Sequence, residues 1–344
     1  MAKFSKFKRF FINFLFLILV VGCFQRKEED KLYFSVRAKQ YNQSSQSEWY
    51  SDYSFSELSL YGHISEVGVV THFNNYSSGL YDKDENTIYY INRHFKDDDV
   101  RENDGDQLYS YNIKTNDICR HTSLLYGNNY VFKEGKTVYL VSQMQTHGQQ
   151  LVKLNLENDE LNLIGPGDDY NVRAADYNPV TKEIVFSAYS ESEWQNAHND
   201  LDYVPPNNTV FSFMDDKVEE LFQTGNGEIG EIVANQDAVV YFRNLTILHN
   251  GENTGLEEIE NSYFTYDRKT KETTKGVLGK ELDNLVNILY LSEDGSYMYA
   301  VFKENKRDYQ LVRYEFKSGS KKLIHDFQSQ YEDAGFRIVL MKEE

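Results

Sequence analysis

The stretch "LSEDGSYMYAVF" at residues 291–302 decides the fold. Two apolar runs flank a short polar turn in which Asp294-Gly295 supplies the reversal. The runs are rich in aromatic and β-branched residues and lack the 3.6-residue spacing of a helix, so the segment reads as an antiparallel hairpin. The strand after this turn, "MYAVFK" (298–303), has five relatives upstream. They are "LYFSVR" (32–37), "IYYINR" (88–93), "VYLVSQ" (138–143), "IVFSAY" (184–189) and "VVYFRN" (239–244). Successive starts lie 56, 50, 46, 55 and 59 residues apart, the period of a repeat architecture.

A second strand follows each of these: "SELSLY" (56–61), "DQLYSY" (106–111), "QQLVKL" (149–154), "NTVFSF" (208–213), "NSYFTY" (261–266) and "YQLVRY" (309–314). Turns such as "NIKTND" then lead to a further strand. A third family precedes the first: "VVTHF" (69–73), "NYVF" (129–132), "VRAADY" (172–177), "EIVA" (231–234), "VNILYL" (286–291) and "FRIVLM" (336–341). The sum is six units of four antiparallel strands, a-b-c-d, which predicts an all-β, six-bladed β-propeller. The unit at the N-terminus lacks its a-strand, and "FRIVLM" at the C-terminus lacks everything else. Pairing the two closes the ring and removes two open sheet edges. One propeller domain is expected over 32–344.

"LSEDGSYMYAVF", and more weakly "YNPVTKEIVFSA" (177–188) and "YDKDENTIYYIN" (81–92), resemble the WD40-like repeat of TolB-type propellers. In that family a Ser-Pro-Asp-Gly turn joins strands a and b; here Glu293 replaces the proline. The resemblance implies a six-bladed ring and gives no site residues.

Residues 1–23, "MAKFSKFKRFFINFLFLILVVGC", stand apart from the repeat. Lys3, Lys6, Lys8 and Arg9 precede an apolar stretch from Phe10 to Val21, shorter than the roughly 20 residues of a membrane span. This is the pattern of an export signal. "VVGC" (20–23) resembles the lipobox of bacterial lipoproteins, which implies cleavage after residue 22 and diacylglycerol on Cys23. Residues 1–22 are then the signal peptide and 23–31 a lipidated tether. The expected location is the extracytoplasmic side of a bacterial envelope membrane. Only Cys119 remains beyond the lipidated cysteine, so no intrachain disulfide can form. Its strand, "DICRHT", predicts a small buried residue.

The formal charge is −18, and removal of the four signal-peptide cations takes it to −22. That acidity excludes nucleic acid as a partner, because phosphate binding needs a basic footprint.

Function is read from one side of the ring. The b–c connections, spanning 38–55, 94–105, 190–207 and 245–260, are long and variable, whereas the a–b turns are short. Variable loops on a rigid scaffold are where binding resides. The chain's only tryptophans, in "QSEWY" (46–50) and "ESEWQ" (191–195), both fall there, in units 1 and 4. The candidate binding face is Trp49, Tyr50, Arg93, His94, His147, Trp194 and His198.

Four histidines, His94, His147, His198 and His249, occupy b–c connections, but no H-x-H or HExxH spacing links them. The acidic stretch "KDDDVRENDGDQ" (96–107) lacks the ligand order of a calcium loop. No nucleophile elbow, phosphate loop, dinucleotide fingerprint or C-x-x-C is present. The expectation is a binding or protein-interaction module of the cell envelope, with no metal or cofactor and with an envelope protein or ligand as partner. The alternative is a metal-dependent lyase or hydrolase acting on envelope or extracellular glycan.

Overall fold

The computed structural model describes residues 31–39, 50–73, 78–95, 103–123, 125–144, 148–199, 204–248, 256–305, 308–327 and 336–343. They form six four-stranded antiparallel sheets. Blade 1 holds β1 (Leu32–Lys39), β2 (Tyr50–Ser59) and β3 (Ile64–Phe73). Blade 2 is β4 (Gly79–Asp82), β5 (Thr87–Phe95), β6 (Asn103–Asn112) and β7 (Ile118–Arg120). Blade 3 is β8 (Leu125–Glu134), β9 (Thr137–Met144), β10 (Gln149–Asn155) and β11 (Glu160–Gly165). Blade 4 is β12 (Tyr170–Asn178), β13 (Glu183–Ser190), β14 (Asn207–Met214) and β15 (Lys217–Asn226), with the helix α1 (Glu191–Asn199) between its second and third strands. Blade 5 is β16 (Glu228–Ala234), β17 (Ala238–Leu248), β18 (Leu256–Asp267) and β19 (Thr273–Lys275). Blade 6 is β20 (Leu285–Leu291), β21 (Tyr297–Lys303), β22 (Tyr309–Glu315) and β23 (Lys321–Phe327). Last comes β24 (Phe336–Lys342), which pairs with β1 in register from Leu32↔Lys342 to Ala38↔Phe336. The C-terminal strand therefore supplies the a-strand of blade 1 and closes the ring as the repeat predicts.

One boundary differs from the sequence reading. "VVTHF" (69–73) belongs to β3, the outermost strand of blade 1, and the a-strand of blade 2 is the short "GLYD" (79–82). Val69 and Thr71 are exposed and Val70 is buried, as suits a strand at the rim. All four residues of "GLYD" are buried. Four residues at the ring centre are too few to announce themselves by periodicity. Cys119 is a second correction. It lies on the three-residue edge strand β7, whose residues are all exposed, so burial does not protect its thiol.

The core is a set of wedges between neighbouring blades. Phe34 and Leu340 of blade 1 share one wedge with Tyr299 and Leu311 of blade 6, where Phe34 meets Tyr299 edge-on at 5.4 Å. Phe186 and Phe211 of blade 4 stack at 5.3 Å in the wedge facing blade 3. Aromatic pairs of this kind add about 0.5–1.5 kcal/mol beyond area burial, which is how the many Tyr and Phe residues are used.

Polar groups at the ends of the a-strands tie the wedges together. Asp82 Oδ1 accepts the Asp84 and Glu85 amides at 2.9 and 3.3 Å. Asn178 Oδ1 accepts those of Val180 and Thr181 at 2.9 and 3.3 Å. Asn235 Oδ1 accepts those of Asp237 and Ala238 at 3.1 and 2.8 Å. The free end of each side chain reaches a neighbouring blade. Asn178 Nδ2 donates to Ala234 O at 3.0 Å, Asn235 Nδ2 to Ser292 O at 2.7 Å, and Lys133 Nζ to Asp82 Oδ2 at 2.5 Å. In blades 2, 4 and 5 one side chain thus both folds its own turn and fastens it to a neighbouring blade. Gly295 adopts φ +63° in the "EDGS" turn, where a Cβ would be strained.

Candidate functional site

The a-strands surround a central channel with two cavities. The first, about 370 Å³, is lined from β8, β12, β16, β20 and β24, the a-strands of blades 3, 4, 5, 6 and 1, together with Val301 and Tyr309 of blade 6. The other lies at the a–b turn end and is lined by charged residues including Lys31, Asp82, Glu85, Lys133 and Lys182. There Lys133 is already neutralised, by Asp82 at 2.5 Å and Glu85 at 3.4 Å.

The first cavity brings polar and ionisable groups to an otherwise apolar wall. Tyr130 comes from blade 3, Asp176 from blade 4, Glu231 from blade 5, Asn287 from blade 6 and Arg337 from blade 1. The a-strands of blades 3 to 6 each carry register shifts, at Tyr126/Asn128 and Asn128/Tyr130, Val172/Ala174, Ile229/Glu231, and Leu285/Asn287 and Ile288/Tyr290. A bulge bends its strand and re-aims a side chain. Here the bulges fall at or beside the residues that line the channel.

Glu231 is held by three donors. Tyr263 Oη donates to Oε2 at 2.8 Å, Asn287 Nδ2 to Oε1 at 2.9 Å, and the Ile288 amide adds a third bond. Burial nevertheless pushes its carboxyl up to about 7, because the low-dielectric wall penalises the charge more than the donors repay. Burial raises the Tyr263 hydroxyl, and the adjacent Glu231 charge adds to the effect. Asp176 is likewise raised well above the usual carboxylate range by burial, with the Tyr177 amide and the Arg337 charge pulling it back down. Arg337 crosses the channel from blade 1 to blade 3, donating from its guanidinium to Asn129 O at 2.9 Å and lying 4.5 Å from the Tyr130 ring centroid. Among the described residues it forms no ion pair. The positive charge therefore sits over blade 3, and the two carboxyls sit on blades 4 and 5.

The residues expected on the b–c side have mixed positions. Trp49, His147 and His249 lie outside the described residues, as do the side chains of Tyr50, His94 and His198. Arg93 forms a cross-strand pair with Asp106, at 2.8 and 3.3 Å, within blade 2. Trp194 is half-buried on α1, not in a loop. That helix has its own start signal. Ser190 Oγ caps the Glu193 amide at 3.2 Å, and Asp169 accepts the Ser192 amide at 3.0 Å. Hydrogen bonds from Ser190 and Ser192 hold the Asp169 carboxyl below its ordinary value. The Ser-x-x-Glu spacing at 190–193 was the overlooked signal. The b–c connections are also more regular than expected. Residues 50–55, 103–105, 245–248 and 256–260 extend the hairpins as paired strand, with Leu248↔Leu256 the last pair in blade 5.

Among the described residues no group of three or more His, Cys, Asp or Glu is arranged to hold a metal. No helix among them is long and apolar enough to cross a membrane.

These features define a six-bladed β-propeller with a polar-lined central cavity. No family model matches the chain, and no curated protein matches it. Solved structures resemble it in fold. TolB from Acinetobacter baumannii is 14% identical with a TM-score of 0.49, over 92% of this chain and 68% of that one. An oligogalacturonate lyase in complex with manganese is 10% identical with a TM-score of 0.47, over 87% and 74%. A chain of a nidogen–laminin complex is 8% identical with a TM-score of 0.47, over 90% and 98%. One fold carries several functions, so these likenesses bring no activity with them.

Proposed function

We propose that the chain is a lipid-anchored, extracytoplasmic envelope protein whose propeller is a binding module, presenting the b–c side of the ring to its partner. The observation that supports this reading most is the placement of irregularity. The a–b turns form a repeated, internally bonded set, whereas the b–c connections carry extended hairpins and the α1 helix with Trp194. The cavity lined by Glu231 and Arg337 lies further from the a–b turns than the charged one. Partly exposed aromatic groups such as Trp194 are what recognition surfaces use. The export signal and "VVGC" sequence support the anchor at Cys23.

The test is site-specific photo-crosslinking in the native cell. A photo-reactive residue at position 194 should capture a partner that the same residue at position 114, in the c–d turn of blade 2, does not. Equal capture from both positions, or none from 194, would remove the b–c side from the reading.

A further inference from the structure

We infer that the cavity lined by Asp176, Glu231 and Arg337 binds a small dipolar ligand, one carrying a protonated amine and a carboxylate. The inference deepens the binding reading above and rests on it for the direction of access. It starts from the charged and polar groups that line the cavity. Asp176 and Glu231 stand on adjacent blades, and Asn287 follows on the next. Asn287 donates its Nδ2 to Glu231, and its Oδ1 is buried with no hydrogen-bond partner among the described residues. This part of the wall thus offers two carboxyls, of which Glu231 already has three donors, and one buried amide oxygen that has none. A buried acceptor left unmet costs about 1–3 kcal/mol. An ammonium group carries three donors and a positive charge, which matches that set.

The same wall carries Arg337. Its guanidinium lies along the Tyr130 ring, spends one donor on Asn129 O and has others left for a carboxylate. A monocation would be repelled by Arg337, and a simple anion would meet the two carboxyls. A ligand with both charges meets each at its own pole. A volume of about 370 Å³ suits a molecule of amino-acid size and falls at the small end of ligand sites.

Protonation sets when the site is ready. The ionisable groups facing Glu231 are Asp176 on β12, Tyr130 on β8, Tyr263 on β18 and Arg337 on β24. An ammonium bound beside Glu231 favours its charged form, so binding near neutral pH releases a proton.

The experiment is titration calorimetry on the full chain in non-ionic detergent with three probes: 5-aminovalerate, pentylamine and valerate. Saturable binding is expected for 5-aminovalerate, at least tenfold tighter than for either single-charge probe. Its heat should change between buffers of different ionisation enthalpy at pH 7, and that dependence should vanish in Glu231→Gln. Asp176→Asn and Arg337→Gln should each weaken binding at least tenfold, with circular dichroism and melting confirming that they fold. Asn287→Asp provides a second reading if Glu231→Gln does not fold: added charge at the amine pole should tighten 5-aminovalerate. Valerate binding as tightly as 5-aminovalerate, no probe binding, or binding unchanged in folded Asp176 and Arg337 variants would each overturn the inference. Failure here with successful partner capture at position 194 leaves the binding-face reading standing. Probe binding without such capture removes the face and keeps the cavity.

Discussion

Leu340→Ala tests whether the ring unfolds as one unit. Leu340 lies in β24 opposite Phe34 of β1 and is 3% exposed. It belongs to the wedge that Phe34 shares with Tyr299 and Val301 of blade 6. Truncating a buried leucine costs about 2–5 kcal/mol, from lost transfer energy and the cavity left behind. At roughly 2 °C per kcal/mol for a domain of this size, Tm should fall by about 4–10 °C. The position of the probe carries the test. Trp194 sits in blade 4, across the ring from the substitution, and in a Trp49→Phe background it is the only tryptophan. If the C-terminal strand closes a cooperative ring, Trp194 emission and far-ultraviolet circular dichroism should fall together to the same lower midpoint. A Trp194 midpoint left at the wild-type value, beside an early loss of strand signal, would mean that blade 1 unzips alone and that the closure reasoning is wrong. Removing residues 336–344 is the extreme version. It deletes Ile338, Leu340 and Met341, at 8%, 3% and 5% exposure. Their burial is worth about 5–9 kcal/mol at 1.5–3 kcal/mol each. That is comparable with the whole net stability of a typical domain, about 5–15 kcal/mol, so no cooperative transition should remain.

Three further outcomes are expected. Replacing Cys23 by Ala should abolish labelling by a clickable palmitate analogue in a bacterial host, and equal labelling of the variant would remove the proposed anchor. Glu183 is 3% exposed and accepts Arg268 through both oxygens at 2.8 and 3.0 Å, so Glu183→Ala should destabilise by about 3–5 kcal/mol in urea titration by stranding the guanidinium; a loss below 1 kcal/mol would show that the pair is solvated. Glu231 titrates near 7 in the folded chain against an ordinary 4.5. The folded state therefore holds its proton more tightly than the unfolded one, and stability should fall as pH rises from about 4.5 to 7. The drop is at most about 3 kcal/mol, at 1.36 kcal/mol per pH unit of difference, and Asp176 acts in the same direction. Glu231→Gln should flatten the urea midpoint across that window, and an unchanged slope would contradict the assignment.

The blades were legible because each b-strand is buried on both faces. "IVFSAY" and "VVYFRN" can be read as strands from apolar content alone, and the turns before them carry Asn, Asp or Gly for a local backbone reason. The short a-strand "GLYD" was not legible, because its burial comes from the ring and not from its own pattern. Glu293 marks the limit of reading by resemblance. It looks like a defect where the TolB-type turn has proline. In the structure its carboxylate accepts Asn178 Nδ2 at 2.8 Å and the Gln236 amide at 3.2 Å, so it bridges the turn of blade 6 to blades 4 and 5. Burial raises its carboxyl, with both bonds acting against that rise.

The cavity was written in the sequence but not recognisable there. Four of the a-strand segments that define the repeat each contain one polar residue used in the cavity wall: Asp176 in "VRAADY", Glu231 in "EIVA", Asn287 in "VNILYL" and Arg337 in "FRIVLM". Taken singly, each reads as a flaw in an apolar strand. A charge or an unpaired polar group in a strand covered on both faces is costly unless something receives it, so three ionisable residues and an amide at the innermost position call for a common space. Period-two patterning cannot say that they meet. Their meeting depends on ring closure, which puts blade 1 beside blade 6, and on bulges whose presence no residue type announces. The same dependence ties the two halves of the functional reading together. If β24 did not close the ring, Arg337 would have no path across the channel to Asn129 and Tyr130, and the carboxyls on blades 4 and 5 would face open solvent. Closure therefore sets the polarity of the cavity as well as the stability of the fold. Leu340→Ala, which leaves every charged group in place, should weaken the binding of a dipolar ligand only to the extent that it loosens blade 1. Arg337→Gln should weaken it while leaving the melting transition within a few degrees of wild type.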